Sequence, residues 1–183
     1  MTTADSGPQL PPMYIRIPAA AVRKIRRVGP PVGLCTVLWS FGCAGLLLGL
    51  GHRLPMWRNV FTQLATAMAL VSVLFMFGIG CGLMLVGRSV AGEYLNLRQS
   101  RPTVRFLAVL WGGTIVTSGL SCLLLVLLVN TSASSTFYPQ IHYTPLVVGY
   151  ILLPVSSCVL AGVGYFLARR LLCPPPGLTV VHR

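Results

Sequence analysis

Charge is what this 183-residue chain has least of: 9% of its residues are Asp, Glu, Lys or Arg, and only Asp5 and Glu93 are acidic. A soluble domain carries about 25% charged residues. With 55% of positions hydrophobic, too few polar side chains remain to clothe a water-facing surface, and a lipid bilayer is the solvent that removes the difficulty. Four apolar runs, at about 32–51, 60–86, 106–129 and 146–168, contain no Asp, Glu, Lys, Arg or His. The usual marker of a proton or ion pathway is therefore missing. His52, His142 and His182 all lie outside the runs, so haem or metal ligation within a bundle has no ligands. Cys35, Cys43, Cys81, Cys122 and Cys158 fall inside the runs and form no C-x-x-C pair. That excludes a disulfide or metal framework and leaves each as a small buried hydrophobe. No cofactor and no catalytic residue is expected, and the chain reads as not an enzyme.

What is present is length. Each run reaches the roughly 20 residues that a helix needs to cross about 30 Å of hydrocarbon. In lipid the backbone must satisfy its own hydrogen bonds, which selects helices. The expected fold is all-α: an integral membrane bundle of four transmembrane helices at 30–168, with a tail at 1–29 and a short one at 169–183. Pro154 is expected to kink the fourth span. The formal charge of +12 would point to nucleic acid on a soluble protein. Here the basic residues fall in three segments beside apolar runs, without a binding motif, so nucleic acid is excluded as a partner. An anionic lipid leaflet accounts for them better.

Orientation follows from counting. The connector at 88–105 carries four arginines, and Lys- and Arg-rich loops stay on the cytosolic face. Four spans then place both termini in the cytosol, with twelve of the fourteen basic residues inside and Arg53 and Arg58 outside. Residues 1–29 lack the apolar stretch of about 7–15 residues of a cleavable leader, so the first span is expected to act as its own insertion signal. Asn130-Thr131-Ser132 fits the N-glycosylation pattern but abuts the end of the third span, and occupancy is expected to be absent. Cys173, just past the last span beside Arg169 and Arg170, is a candidate for S-palmitoylation.

Helix association in lipid depends on close approach and a few hydrogen bonds. Gly45 and Gly49 form a G-x-x-x-G, as do Gly78 and Gly82; Gly113 with Thr117, Ser118 with Cys122, Ser157 with Ala161 and Cys158 with Gly162 continue the theme. Small ridges on all four spans imply a compact bundle, with a homo-oligomer as the further expectation. The hydroxyls at depth, among them Thr36, Ser40, Thr66, Ser72, Thr114, Ser118, Ser121 and Ser157, are expected to bond across helices; lining a pore in an oligomer is the alternative.

Residues 1–29 hold Pro8, Pro11, Pro12 and Pro18. The first half is expected to be disordered, and the second to lie along the headgroups, with Pro18 interrupting any helix and Pro30 and Pro31 marking the approach to the bilayer. Pro11-Pro12-Met13-Tyr14 resembles the PPxY ligand of WW domains. Prolines hold such a segment in polyproline II form before it docks, which limits the ordering entropy lost. Tyr14-Ile15-Arg16-Ile17 and Tyr94-Leu95-Asn96-Leu97 resemble Y-x-x-Φ sorting signals read by clathrin adaptors. For the second, an extension of the second span's helix along the interface is the competing expectation. The topology resembles that of small four-span membrane proteins, without a tetraspanin-type cysteine cluster or a claudin-type outer-loop pattern.

These features imply a non-enzymatic adaptor, trafficking or scaffold factor of the plasma membrane or of endomembranes such as Golgi or endosome. It would recruit a WW-domain partner through Pro11, Pro12 and Tyr14, with Tyr94 and Leu97 as sorting-signal candidates. A channel-like oligomer and a viral envelope or assembly protein are the alternatives.

Overall fold

The computed structural model describes residues 14–53, 60–86, 90–91, 94–133 and 144–173. Its elements in chain order are β1 (Tyr14–Arg16), α1 (Ala19–Arg53), α2 (Val60–Val86), β2 (Val90–Ala91), β3 (Tyr94–Asn96), α3 (Leu97–Ala133) and α4 (Thr144–Leu172). Each helix is long and apolar enough to cross a membrane, over Val22–Gly49, Val60–Val86, Ser100–Leu128 and Val148–Leu172. The chain is an all-α, multi-pass membrane bundle with one small sheet.

α2 coincides with its apolar run, while α1, α3 and α4 overrun theirs, because a run stops at a polar residue or a proline and the helix's backbone hydrogen bonding continues past it. At 35 residues α1 extends about 52 Å, well beyond the hydrocarbon. As expected, no single helix runs across Pro18: β1 precedes it and α1 follows it, the Pro18 carbonyl accepting from the Val22 N–H at 3.2 Å. Pro30 and Pro31, expected to mark the approach to the bilayer, instead lie inside α1. The carbonyls they leave without intrahelical donors, those of Arg26 and Arg27, sit on the exposed, basic stretch of the helix, where water and headgroups can reach them. Residues 19–29, read from the sequence as tail, are thus the first three turns of a spanning helix.

Burial is inverted relative to a soluble protein. Leu38, Phe41, Leu74, Val109, Val116 and Val159 are exposed around the outside, where lipid is their solvent. α2 is the central rod, packed against α1, α3 and α4. The core runs in three tiers along it. One tier holds Leu47, Ala69, Val73, Leu125 and Tyr150, the next Met76, Ile79, Leu83, Leu107 and Ala161, and the third Ile17, Ile25, Val86, Leu95 and Leu172 at the arginine-bearing end. Cys43 is buried as expected, whereas Cys35 is exposed on α1 and Cys81, Cys122 and Cys158 are half-buried.

Small residues set the helix spacing as expected at Gly78, Gly82, Gly113 and Gly162, each tight against a side chain of a neighbouring helix, but not at Gly45 and Gly49. A Cβ on Gly33 would lie 2.6 Å from the Gly80 carbonyl oxygen, and one on Gly80 3.0 Å from that of Gly33, so α1 and α2 touch backbone to backbone. Gly78 and Gly82 instead seat Leu110 and Leu107 of α3, while Gly42, Gly45 and Gly49 have nothing within 4 Å.

Candidate functional site

Inside the bundle the polar groups are hydroxyls of two kinds. Thr36, Ser40, Thr114, Thr117 and Ser157 bond back to carbonyls of their own helices, as Ser and Thr do in apolar helices. Others tie helices together. Ser72 and Ser118 share a hydrogen bond of 2.7 Å across α2 and α3, and Ser118 donates to the Pro154 carbonyl of α4 at 3.1 Å. Ser121 donates to the Ala65 carbonyl at 2.9 Å. The Tyr150 hydroxyl donates to Thr66 Oγ1, which donates to the Thr62 carbonyl at 2.7 Å; among the described residues, Thr62 Oγ1 is buried without a partner. Sequence reasoning passed over Tyr150 and Thr62. The signal for Tyr150 is its register with Leu153, Ser157 and Ala161 on the inner stripe of α4.

These hydrogen bonds tie α2, α3 and α4 to one another. The described residues contain no group of three or more His, Cys, Asp or Glu able to hold a metal ion. The cross-helix hydroxyls, Ser72, Ser118, Ser121, Thr66 and Tyr150, are engaged within one copy of the chain. Ser118 is the node, so Ser118→Ala should cost about 1 kcal/mol, near the upper part of the range for membrane hydrogen bonds. SDS-titrated unfolding checks this; no loss would mean that Ser72 and the Pro154 carbonyl find equal partners elsewhere.

The other polar concentration is the arginine-bearing end. Arg23, Lys24, Arg26 and Arg27 on α1, Arg101 and Arg105 on α3, and Arg169 and Arg170 on α4 are all exposed there. No acidic side chain faces them among the described residues, since Asp5 and Glu93 lie outside that set.

Across this end lies a three-stranded sheet in the order β1-β3-β2. β1 pairs antiparallel with β3, Tyr14 opposite Asn96, Ile15 opposite Leu95 and Arg16 opposite Tyr94. β2 pairs with the other edge of β3, Val90 opposite Leu95. The two tyrosine-containing segments that sequence reading kept apart are therefore neighbouring strands. Tyr94, Leu95 and Asn96 do not extend the second span's helix; they form β3, and Leu97 opens α3. A three-residue strand has little stability of its own. This one is anchored by Leu95, 1% exposed, which packs with Ile17, Val22, Ile25, Val86 and Leu172.

The remaining candidates separate. Pro11 and Pro12 lie outside the described residues. Cys173 is exposed immediately beyond α4, its N–H donating to the Arg169 carbonyl at 2.9 Å. Asn130 is exposed within the last turns of α3, at the end of the bundle opposite the sheet. Comparison with protein-family models, with curated proteins and with solved structures returns no match.

Proposed function

We propose that this protein is a non-enzymatic membrane adaptor or trafficking factor that presents residues 11–14 to WW-domain partners from the cytosolic face of the plasma membrane or of endomembranes. The observation that carries the reading is the placement of Tyr14. The tyrosine that completes the PPxY pattern begins β1, on the outer edge of a sheet tied to the connector, at the end of the bundle where the exposed cations gather. Apart from Thr62 Oγ1, the interior hydroxyls described above are engaged with one another or with backbone carbonyls, so recognition at this end is the activity best supported.

The remainder of the proposal follows from the same arrangement. By the positive-inside bias the sheet end is cytosolic, facing an anionic leaflet with up to about 1 kcal/mol of attraction per basic residue. Cys173, exposed at that boundary, is the palmitoylation candidate. Use of Tyr94 and Leu97 by a clathrin adaptor requires release of β3, since both of its edges are paired. Self-association, where it occurs, uses the open face of Gly42, Gly45 and Gly49.

The test is recovery of WW-domain proteins by the full chain in detergent, comparing wild type with Tyr14→Ala. Tyrosine removal is expected to lower binding at least about tenfold, or about 1.4 kcal/mol. Equal recovery by both chains removes the WW reading.

A further inference from the structure

Between α3 and α4, on the lipid-facing side, runs an open trough of about 590 Å3 lined by Trp111, Val159, Gly162, Val163, Phe166 and Arg170 among others. Its α4 residues recur at helical spacing along one face of that helix. The missing side chain at Gly162 lets Trp111 of α3 pack close against α4 along the trough: a Cβ there would lie 3.0 Å from the indole Nε1. The indole is held in place, stacked on Tyr165 at 5.1 Å between ring centroids and edge-on to Phe166 at 5.2 Å. It forms a fixed wall. Val159, Val163 and Phe166 are exposed, at 60%, 56% and 52%, so the opposite side is open to the bilayer.

Two features identify the occupant. The first is charge. The walls are apolar but the mouth ends on Arg170, exposed and without an acidic neighbour among the described residues. A guanidinium there matches a phosphate oxygen pair better than an ammonium would. The second is length. From Val159 to Arg170 the helix rises about 16 Å, close to half of the roughly 30 Å hydrocarbon, which is the depth of one leaflet. An apolar slot one leaflet deep with a cation at the headgroup level fits a single lipid chain with an anionic head.

We propose that this trough is a binding site for one anionic phospholipid, its acyl chain lying along Val159, Val163 and Phe166 against Trp111 and the net negative charge of its headgroup, carboxylate as well as phosphate in phosphatidylserine, held by Arg170. The site is independent of the tail motif and of which partner the tail recruits.

Trp111 reports on it directly. In a Trp39→Phe, Trp57→Phe background, the full chain is reconstituted in phosphatidylcholine vesicles in which a small fraction of the lipid is brominated, as either phosphatidylserine or phosphatidylcholine. Bromine in the trough quenches the indole. Brominated phosphatidylserine is expected to associate about fivefold more tightly than brominated phosphatidylcholine, the preference of one arginine near a headgroup. Arg170→Ala should bring the two lipids to parity, and Arg27→Ala, an equal loss of charge at the same end, should leave the preference intact. Val163→Phe, which fills the slot from an exposed position, should reduce quenching by both lipids. Equal quenching by the two lipids in the parent chain, a preference that survives Arg170→Ala, or one lost equally in Arg27→Ala would each overturn the assignment.

Discussion

Gly33→Ala is expected to destabilise the bundle by about 2 kcal/mol, the typical cost of overpacking a close contact, and Gly33→Leu by more. The added Cβ would sit 2.6 Å from the Gly80 carbonyl oxygen and 2.9 Å from the Met84 backbone nitrogen. Both are backbone atoms that a rotamer change cannot move, so α1 and α2 must separate. Alanine also improves helix propensity by up to about 1 kcal/mol over glycine, and the steric term has to exceed that gain for the sign to hold. Gly45 provides the comparison, because nothing lies within 4 Å of its Cβ position. Gly45→Leu should leave the stability of a single copy within about 0.5 kcal/mol of wild type, as for an open surface site. Unfolding of the purified chain in mixed micelles separates the two variants. Equal losses would mean that the bundle does not close through Gly33 and Gly80. A Gly45→Leu chain that keeps its stability but loses chemical cross-linking between copies would place self-association on the open glycine face.

That contrast marks where sequence reasoning stops in lipid. Four spans are legible because uninterrupted apolar length is a requirement of the bilayer itself. Which face of each span packs is not, because these helices are apolar on every side and the usual contrast between an oily stripe and a polar one is missing. The G-x-x-x-G that closes α1 on α2 is Gly29 with Gly33, and it is passed over in sequence because Pro30 and Pro31 lie between its glycines. The more conspicuous Gly45 and Gly49 face outward. Hydroxyl-bearing positions could be named, but partners such as Ser72 with Ser118, 46 residues away, depend on how α2 and α3 are rotated. At the sheet end the same limit applies more strongly. Tyr14 and Tyr94 stand out as motif residues, whereas their neighbouring placement rests on strands of three residues, too short to show a period. Leu95 looks like an incidental apolar residue inside a Y-x-x-Φ string, yet it is buried in a core cluster with residues of α1, α2 and α4.

Leu95→Asp should therefore release β1 from β3 while leaving the four spans folded. The leucine is 1% exposed among Ile17, Ile25, Val86 and Leu172, and an unpaired carboxylate in such a site costs several kcal/mol. Truncation to alanine, at about 2–5 kcal/mol, is the milder version and acts in the same direction. A ladder of three pairs and one of two cannot offset either loss, whereas each span keeps its own backbone bonds in lipid. Hydrogen exchange at residues 14–16 and 94–96 should speed up at least about tenfold, corresponding to about 1.4 kcal/mol of lost protection, with exchange along Val60–Val86 unchanged. Faster exchange in β3 alone would show that β1 is held by something other than this pairing. The consequence for recognition follows from population arithmetic: a ligand that requires the free tail binds with its intrinsic affinity multiplied by the fraction of tail that is free. Because the PPxY pattern ends on Tyr14, the first residue of β1, engagement of that tyrosine by a WW domain competes with the Tyr14–Asn96 pairing. Leu95→Asp should then raise WW binding of the full chain by about the factor by which exchange at residues 14–16 rises. If exchange increases and binding stays constant, the strand does not gate the motif and residues 11–14 are available in the docked state. If both rise together, the connector between the second and third spans regulates what the tail can recruit.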